Sequence, residues 1–315
     1  MAAVRRASFL AALIVLAGAA HAGAETTCQF ELSGTTMRLL ADCVTDASLD
    51  VPDGTTFDGD RHSIVAIDPL AGRFQGGVIV ARGRTADVVN VRIAAQSLED
   101  GCETGIKRLR GIYFDGAAGV IRNNIVLAIF KRGSACDEGH AIEVRNTDRG
   151  ERIDVEIDHN TVDLYQKTGI VVTGAVDAWI HHNLVGASAA QDTVPANSIQ
   201  LGPGAGGIVE LNTVRGNSSR SETAGTAILL ARTASGAIVR ANTIIGNADV
   251  GIYVLADEAT IEINELTDTG LDGVHDVGIG NYGTNNRVRD NLIRGYATRY
   301  QGVADTPAGR TVALE

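Results

Sequence analysis

VEIDHNTVDLYQKTGIVVTGAVDAWIHHNLV, residues 155–185, decides how the rest of the chain is read. Its first eight residues, VEIDHNTV, return as AWIHHNLV, an aliphatic residue, two polar residues, Asn, a spacer and another aliphatic. Asn160 and Asn183 are 23 residues apart. The same phrase recurs as VIRNNIV (120–126), IVELNTV (208–214), IVRANTI (238–244), TIEINEL (260–266) and RVRDNLI (287–293). The Asn positions are Asn124, Asn160, Asn183, Asn212, Asn242, Asn264 and Asn291.

A second phrase, Gly followed by alternating aliphatics, lies nine residues after three of these: GIVV from Gly169, GIYV from Gly251 and GVHDV from Gly273. Coils without insertions therefore repeat every 22 or 23 residues, too short for two-helix repeats and about half a propeller blade. Within each unit the alternation has period 2, the pattern of strands. The residue three before each Asn is always aliphatic (Ile121, Ile157, Ile180, Val209, Val239, Ile261, Val288), as is the one two after it. No unit can bury these side chains alone, whereas stacked units can. The spacing predicts an all-β fold, a single-stranded right-handed parallel β-helix with rungs roughly 4.8 Å apart. The Asn is expected at a left-handed corner, with its amide laddering along the stack.

On these repeats, and on VPDGTTFDG (51–59), the sequence resembles the parallel β-helix repeat superfamily, which includes pectate lyases, polygalacturonases, alginate lyases and mannuronan epimerases. The resemblance covers roughly residues 50–300 and implies a polysaccharide substrate. Named catalytic motifs of that group are missing. Asn146-Thr147-Asp148 matches a polygalacturonase triplet, but Arg149 follows it, and no GHG or RIK lies downstream. Asp68-Pro69 continues as Leu-Ala rather than as an epimerase motif.

Residues 1–24 read as a signal peptide, with a basic MAAVRR start, a short apolar stretch and a small-residue cleavage site, so a secreted or periplasmic protein is expected. Residues 25–60 are expected to be an N-terminal cap and opening coil, 61–300 the β-helix, and 301–315 a cap or tail. No later stretch spans a membrane. The formal charge is −11 for the whole chain, and 25 basic face 38 acidic residues once the leader is removed, which excludes nucleic acid as a partner. Four cysteines in an exported chain suggest two disulfides. Sequential pairing, Cys28 with Cys43 and Cys102 with Cys136, closes the shortest loops.

Extra residues at 131–139, 186–197, 215–225 and 275–286 would wall a groove beside the Gly-aliphatic strand. Its outward positions carry the candidate catalytic set: His140, Glu143, Arg145, Lys167, Tyr253 and His275. A base beside a cation suits proton abstraction next to a uronate carboxyl, the step shared by lyases and epimerases. The alternative is a non-catalytic carbohydrate-binding or structural β-helix. No cofactor or metal site is expected, with Ca2+ left open as a bridge to a polyanionic substrate. His159 and His182 stand beside equivalent Asn residues on stacked coils, close enough to share an ion but without a third ligand, and read first as corner residues, with metal binding and catalysis as the alternatives. The column two before each Asn (Arg122, Asp158, His181, Glu210, Arg240, Glu262, Arg289) nearly alternates in sign and reads as a charge ladder. Trp179, Ile208 and Ile238 would point outward together, a stripe suited to a contact between copies.

Overall fold

The computed structural model describes residues 26–131, 136–188, 194–219, 222–270 and 275–302. Successive strands feed three sheets of 11, 10 and 10 strands, and each strand pairs with the equivalent strand of the coils before and after it. All pairings are parallel except one, between Phe30–Ser33 and Thr36–Leu39. The architecture is the right-handed parallel β-helix that the repeat implies. Among the described residues no helix is long and apolar enough to cross a membrane.

One coil shows the plan. Ala118–Arg122 lies in the first sheet, Ile125–Lys131 in the second, and His140–Asn146 in the third. Ile121, Ile157, Ile180, Val209, Val239, Ile261 and Val288 stack inside the first sheet. Ile112, Ile142, Ile170, Ile199, Ile228, Ile252 and Ile279 do the same in the third. These side chains are buried almost completely, each contributing about 1.5–3 kcal/mol of transfer free energy.

The corner between the first and second sheets is built differently from the expectation. The left-handed residue is the one before each ladder Asn: Asn123, His159, His182, Leu211, Ala241, Ile263 and Asp290, with φ between 52° and 59°. The Asn itself turns inward. Asn183 Oδ1 accepts from both the backbone N–H and the amide of Asn160, each at 3.0 Å. The Asn183 amide donates to Ile157 O at 2.8 Å and to Asn212 Oδ1 at 3.0 Å. The pattern runs unbroken from Asn124 to Asn291. Holding a β-branched residue such as Ile263 in left-handed backbone costs energy, and the amide bonds on either side offset it.

Both disulfides take the sequential pairing. Parallel stacking, however, begins with Thr36–Leu39 against Thr55–Asp58, well before residue 61. Among the described residues the antiparallel strand Phe30–Ser33 precedes the first coil, tied by Cys28–Cys43 and by Phe30 edge-on to Phe57 at 5.7 Å. The last rung, Thr298–Gly302, still pairs in parallel with Val277–Asn281, so the stack runs to 302. The expected signal peptide and residues 303–315 of the expected tail lie outside the described residues.

The connections at 131–139, 186–197 and 215–225 all join the second sheet to the third, as expected, although parts of each lie outside the described residues. The fourth was misplaced. Residues 277–281 of the supposed insertion 275–286 form the third-sheet strand itself, and the long connection precedes it. GVHDV copies the look of the strand phrase, but VGIGN takes the core position.

Replacing Asn183 by Ala removes the acceptor of two buried donors, each costing about 1–3 kcal/mol when left unpaired. The variant is expected to lose about 2–5 kcal/mol in urea unfolding, while Leu211→Ala at the exposed corner next to the ladder changes it by less than about 0.5 kcal/mol.

Candidate functional site

The outward column of the third sheet reads Val80, Tyr113, Glu143, Val171, Gln200, Leu229, Tyr253 and Gly280. Glu143 and Tyr253 therefore stand four rungs apart, about 19 Å at the spacing of paired strands. His275 is not in the column; Gly280 holds the place assigned to it, and His275 Nε2 instead lies 3.2 Å from Glu222 O. Tyr253 packs edge-on against Tyr282 at 5.4 Å. Of the six candidates, the fold brings together His140, Glu143 and Lys167, with Arg145 two residues along the same strand.

That group is enclosed. Arg110, a residue the sequence did not flag, is fully buried and ion-paired to Glu143, and its guanidinium lies 4.2 Å above the Tyr113 ring. It also donates to the carbonyls of Gly105, Ile106 and Arg108. Lys131, buried as well, donates to Gly101 O and to Glu138, whose carboxylate accepts the backbone N–H of Glu103 and of Leu109. Together with Cys102–Cys136, these bonds clamp segment 101–109 over this part of the sheet. Lys167 Nζ is held by Pro195 O at 2.7 Å and Asp137 at 3.5 Å. Desolvation pushes the His140 imidazole down to about 4, against the pull of Glu143, and its Nδ1 has no partner among the described residues. Burial tends to raise Glu143, but His140 and Arg110 outweigh it and hold the carboxyl below its usual range. Arg145 lines a separate cleft of about 240 Å³ with Arg82, Arg149, Asp115 and Asp148, its Nε bonded to Thr147.

The first sheet offers the open face. Glu156, Trp179, Ile208 and Ile238 form one outward column, so the expected stripe does point outward. Beside it runs the charge column, where ion pairs join Arg122 to Asp158, Arg240 to Glu210 and Arg289 to Glu262. Trp179, 46% exposed, is the only tryptophan of the chain. Its Nε1 donates to Glu210 at 2.8 Å, and its ring lies 3.9 Å from that of His181. Burial works to raise the Glu210 carboxyl, but hydrogen bonds from Arg240 and Trp179 hold it below the ordinary value. The indole is thus locked at one edge and open at its face.

Trp179 borders an open groove of about 400 Å³ lined also by Asp154, Glu156, Asp177, Ala178 and Ile208. Gly119 and Gly207 floor it, at φ 132° and 114°, where a Cβ would collide with the backbone of the preceding rung. Cross-rung register assembles this site; the outward column Trp179, Ile208 and Ile238 was visible beforehand but was read as a contact between copies, and the acidic rim was not.

A family model for the right handed beta helix region matches residues 110–293, more than half of the chain. The chain belongs to the right-handed beta helix family. The crystal structure of Dettilon tailspike protein (gp208) superposes on this beta-helix protein with a TM-score of 0.51 at 15% sequence identity. The match covers 82% of this chain and 55% of that one, so this chain spans about half of the tailspike structure. At that identity the likeness concerns the fold. No curated protein matches the sequence.

In the unfolded chain His140 takes a proton near pH 6.5, but in the fold only near 4. Between those values the unfolded state binds more protons, so acid favours unfolding. The stabilisation is complete above about pH 6.5 and is lost as pH falls through 4. His140→Gln is expected to flatten the decline of the urea midpoint over that window; an unchanged slope would place the acid sensitivity elsewhere.

Proposed function

We propose that this beta-helix protein binds a polysaccharide along the groove beside Trp179 and does no proton-abstraction chemistry there. One observation carries the reading: the indole is held by Glu210 and His181 yet is 46% exposed and lines an open groove with carboxylates on its rim. An immobilised aromatic ring loses little conformational freedom on binding and packs against the C–H face of a pyranose. Carboxylates accept hydrogen bonds from sugar hydroxyls.

The charge on the rim narrows the ligand. Asp154, Glu156 and Asp177 line the groove; Arg122 pairs with Glu156 and Arg152 with Asp177, while Asp154 has no ion pair among the described residues. With that carboxylate uncompensated and no basic side chain in the lining itself, the groove suits a neutral glycan or an amino sugar better than the polyuronate implied by the superfamily resemblance. A lyase or epimerase reading has less support, because Glu143 is ion-paired to Arg110 beneath segment 101–109, while Arg145 lines a separate cleft and Lys167 is held by Pro195 O and Asp137. Two disulfides fit an oxidising compartment outside the cytoplasm, where such glycans are met.

Calorimetric titration with neutral oligosaccharides is expected to show binding that weakens at least tenfold in Trp179→Ala and is largely kept in Trp179→Phe. Equal affinity in the wild type and the Ala variant would refute the groove as the binding site. Product formation abolished by Glu143→Gln would restore the enzymatic reading.

A further inference from the structure

We propose that His159 and His182 form a surface site for a late transition-metal dication of the Cu2+, Ni2+ or Zn2+ class. The proposal is independent of the glycan reading.

Register places the two residues on consecutive rungs at equivalent left-handed corners, with φ of 54° and 53°. Their rings are 4° from parallel with centroids 5.2 Å apart, and both are exposed. Each ring is held through the same nitrogen. His159 Nδ1 lies 2.6 Å from Asp158 Oδ2, and Asp158 is itself gripped by Arg122 Nε at 2.8 Å to each oxygen. His182 Nδ1 lies 2.8 Å from His181 Nδ1, and His181 Nε2 lies 3.1 Å from Glu156 Oε1. Donation from His182 to His181, and from His181 to Glu156, satisfies the whole chain. Both exposed rings are then Nδ1–H tautomers with the Nε2 lone pair free, and neither Nε2 has a protein partner among the described residues.

This backing is what metal-bound imidazoles have. The ring N–H remote from the ion is almost always donated to a carboxylate or another acceptor, which sets the tautomer and raises basicity. Two neutral imidazoles select Cu, Ni or Zn over the hard, oxygen-seeking Ca2+. An ion bound at about 2.0–2.1 Å from each nitrogen requires the nitrogens to be at most about 4 Å apart. Parallel rings aim their Nε2 lone pairs side by side, so binding also requires the two exposed side chains to turn until their ring planes converge on the ion. Water or an external ligand fills the other positions.

A neighbouring trio, Glu156, Asp158 and His181, also has donor atoms within 4.8 Å of one another. Its cation is already present: the Arg122 guanidinium, which reaches Asp158 through Nε and Glu156 through Nη2 at 2.8 Å. The trio serves as the support on which the outer imidazoles rest.

The test uses tag-free full chain titrated with CuCl2 or ZnCl2 by calorimetry, with Trp179 emission as a second readout, since its ring reaches His182 through His181 at 3.9 and 5.1 Å. His159→Asn and His182→Asn keep a residue that tolerates the left-handed corner, and unchanged melting temperatures verify the fold. One ion per chain, Cu2+ quenching of Trp179, and at least tenfold weaker binding in each variant are expected. Asp158→Asn is expected to weaken binding by a smaller factor, and CaCl2 to give no signal. Wild-type affinity in both Asn variants overturns the proposal. So does binding that is lost in Glu156→Gln but intact in His159→Asn, which would put the ion on the inner trio.

Discussion

The amide ladder from Asn124 to Asn291 is the constraint on which the remainder rests. Each Asn from Asn124 to Asn264 bonds the rung on either side of it, and Asn291 the rung before it, through a buried network. A slip of one residue in any coil would break two such bonds and turn core aliphatics outward. Register is therefore set at one corner and transmitted to all three sheets. Because the amides secure the corner, the residue before each Asn is free to be His, Leu, Ala or Ile despite its left-handed backbone. That freedom is where His159 and His182 came to stand side by side.

The two outward faces use polar groups in opposite ways. On the third sheet Arg110 and Glu143, and beside them Lys131 at the end of a second-sheet strand with Glu138 in the connection that follows, are desolvated and satisfied by one another and by segment 101–109. Buried ion pairs of this kind contribute specificity of placement more than net stability, and they leave nothing facing a ligand. On the first sheet the charges pair along the stack in solvent, each pair contributing little. Their effect is positional: Glu210 is oriented by Arg240 and in turn orients Trp179.

Much of this architecture was legible in the chain, because stacking makes equivalent residues recur in writing. The aliphatic columns, the ladder and the alternating charges all follow from the repeated phrase. What was not legible depends on chain segments without a repeat. Glu143 looked exposed because its strand alternates, and Arg110 was not singled out; segment 101–109, which has no counterpart in other coils, holds the Arg110 guanidinium over Glu143. GVHDV misled because it copies the composition of the strand phrase; the core positions are filled instead by Val277 and Ile279. The Asn was read as the bent residue since that amino acid tolerates such backbone, yet its hydrogen-bonding capacity was the property selected.

Both covalent crosslinks lie before residue 137, within the first rungs. Everything from His140 to Gly302 is joined to its neighbours by non-covalent contact alone. A molecule built as a one-dimensional array loses order rung by rung rather than all at once. The anchored end resists while the opposite end frays, so denaturation in this chain has a direction. Trp179 sits between these extremes, past the last crosslink and four rungs before the final strand of the first sheet.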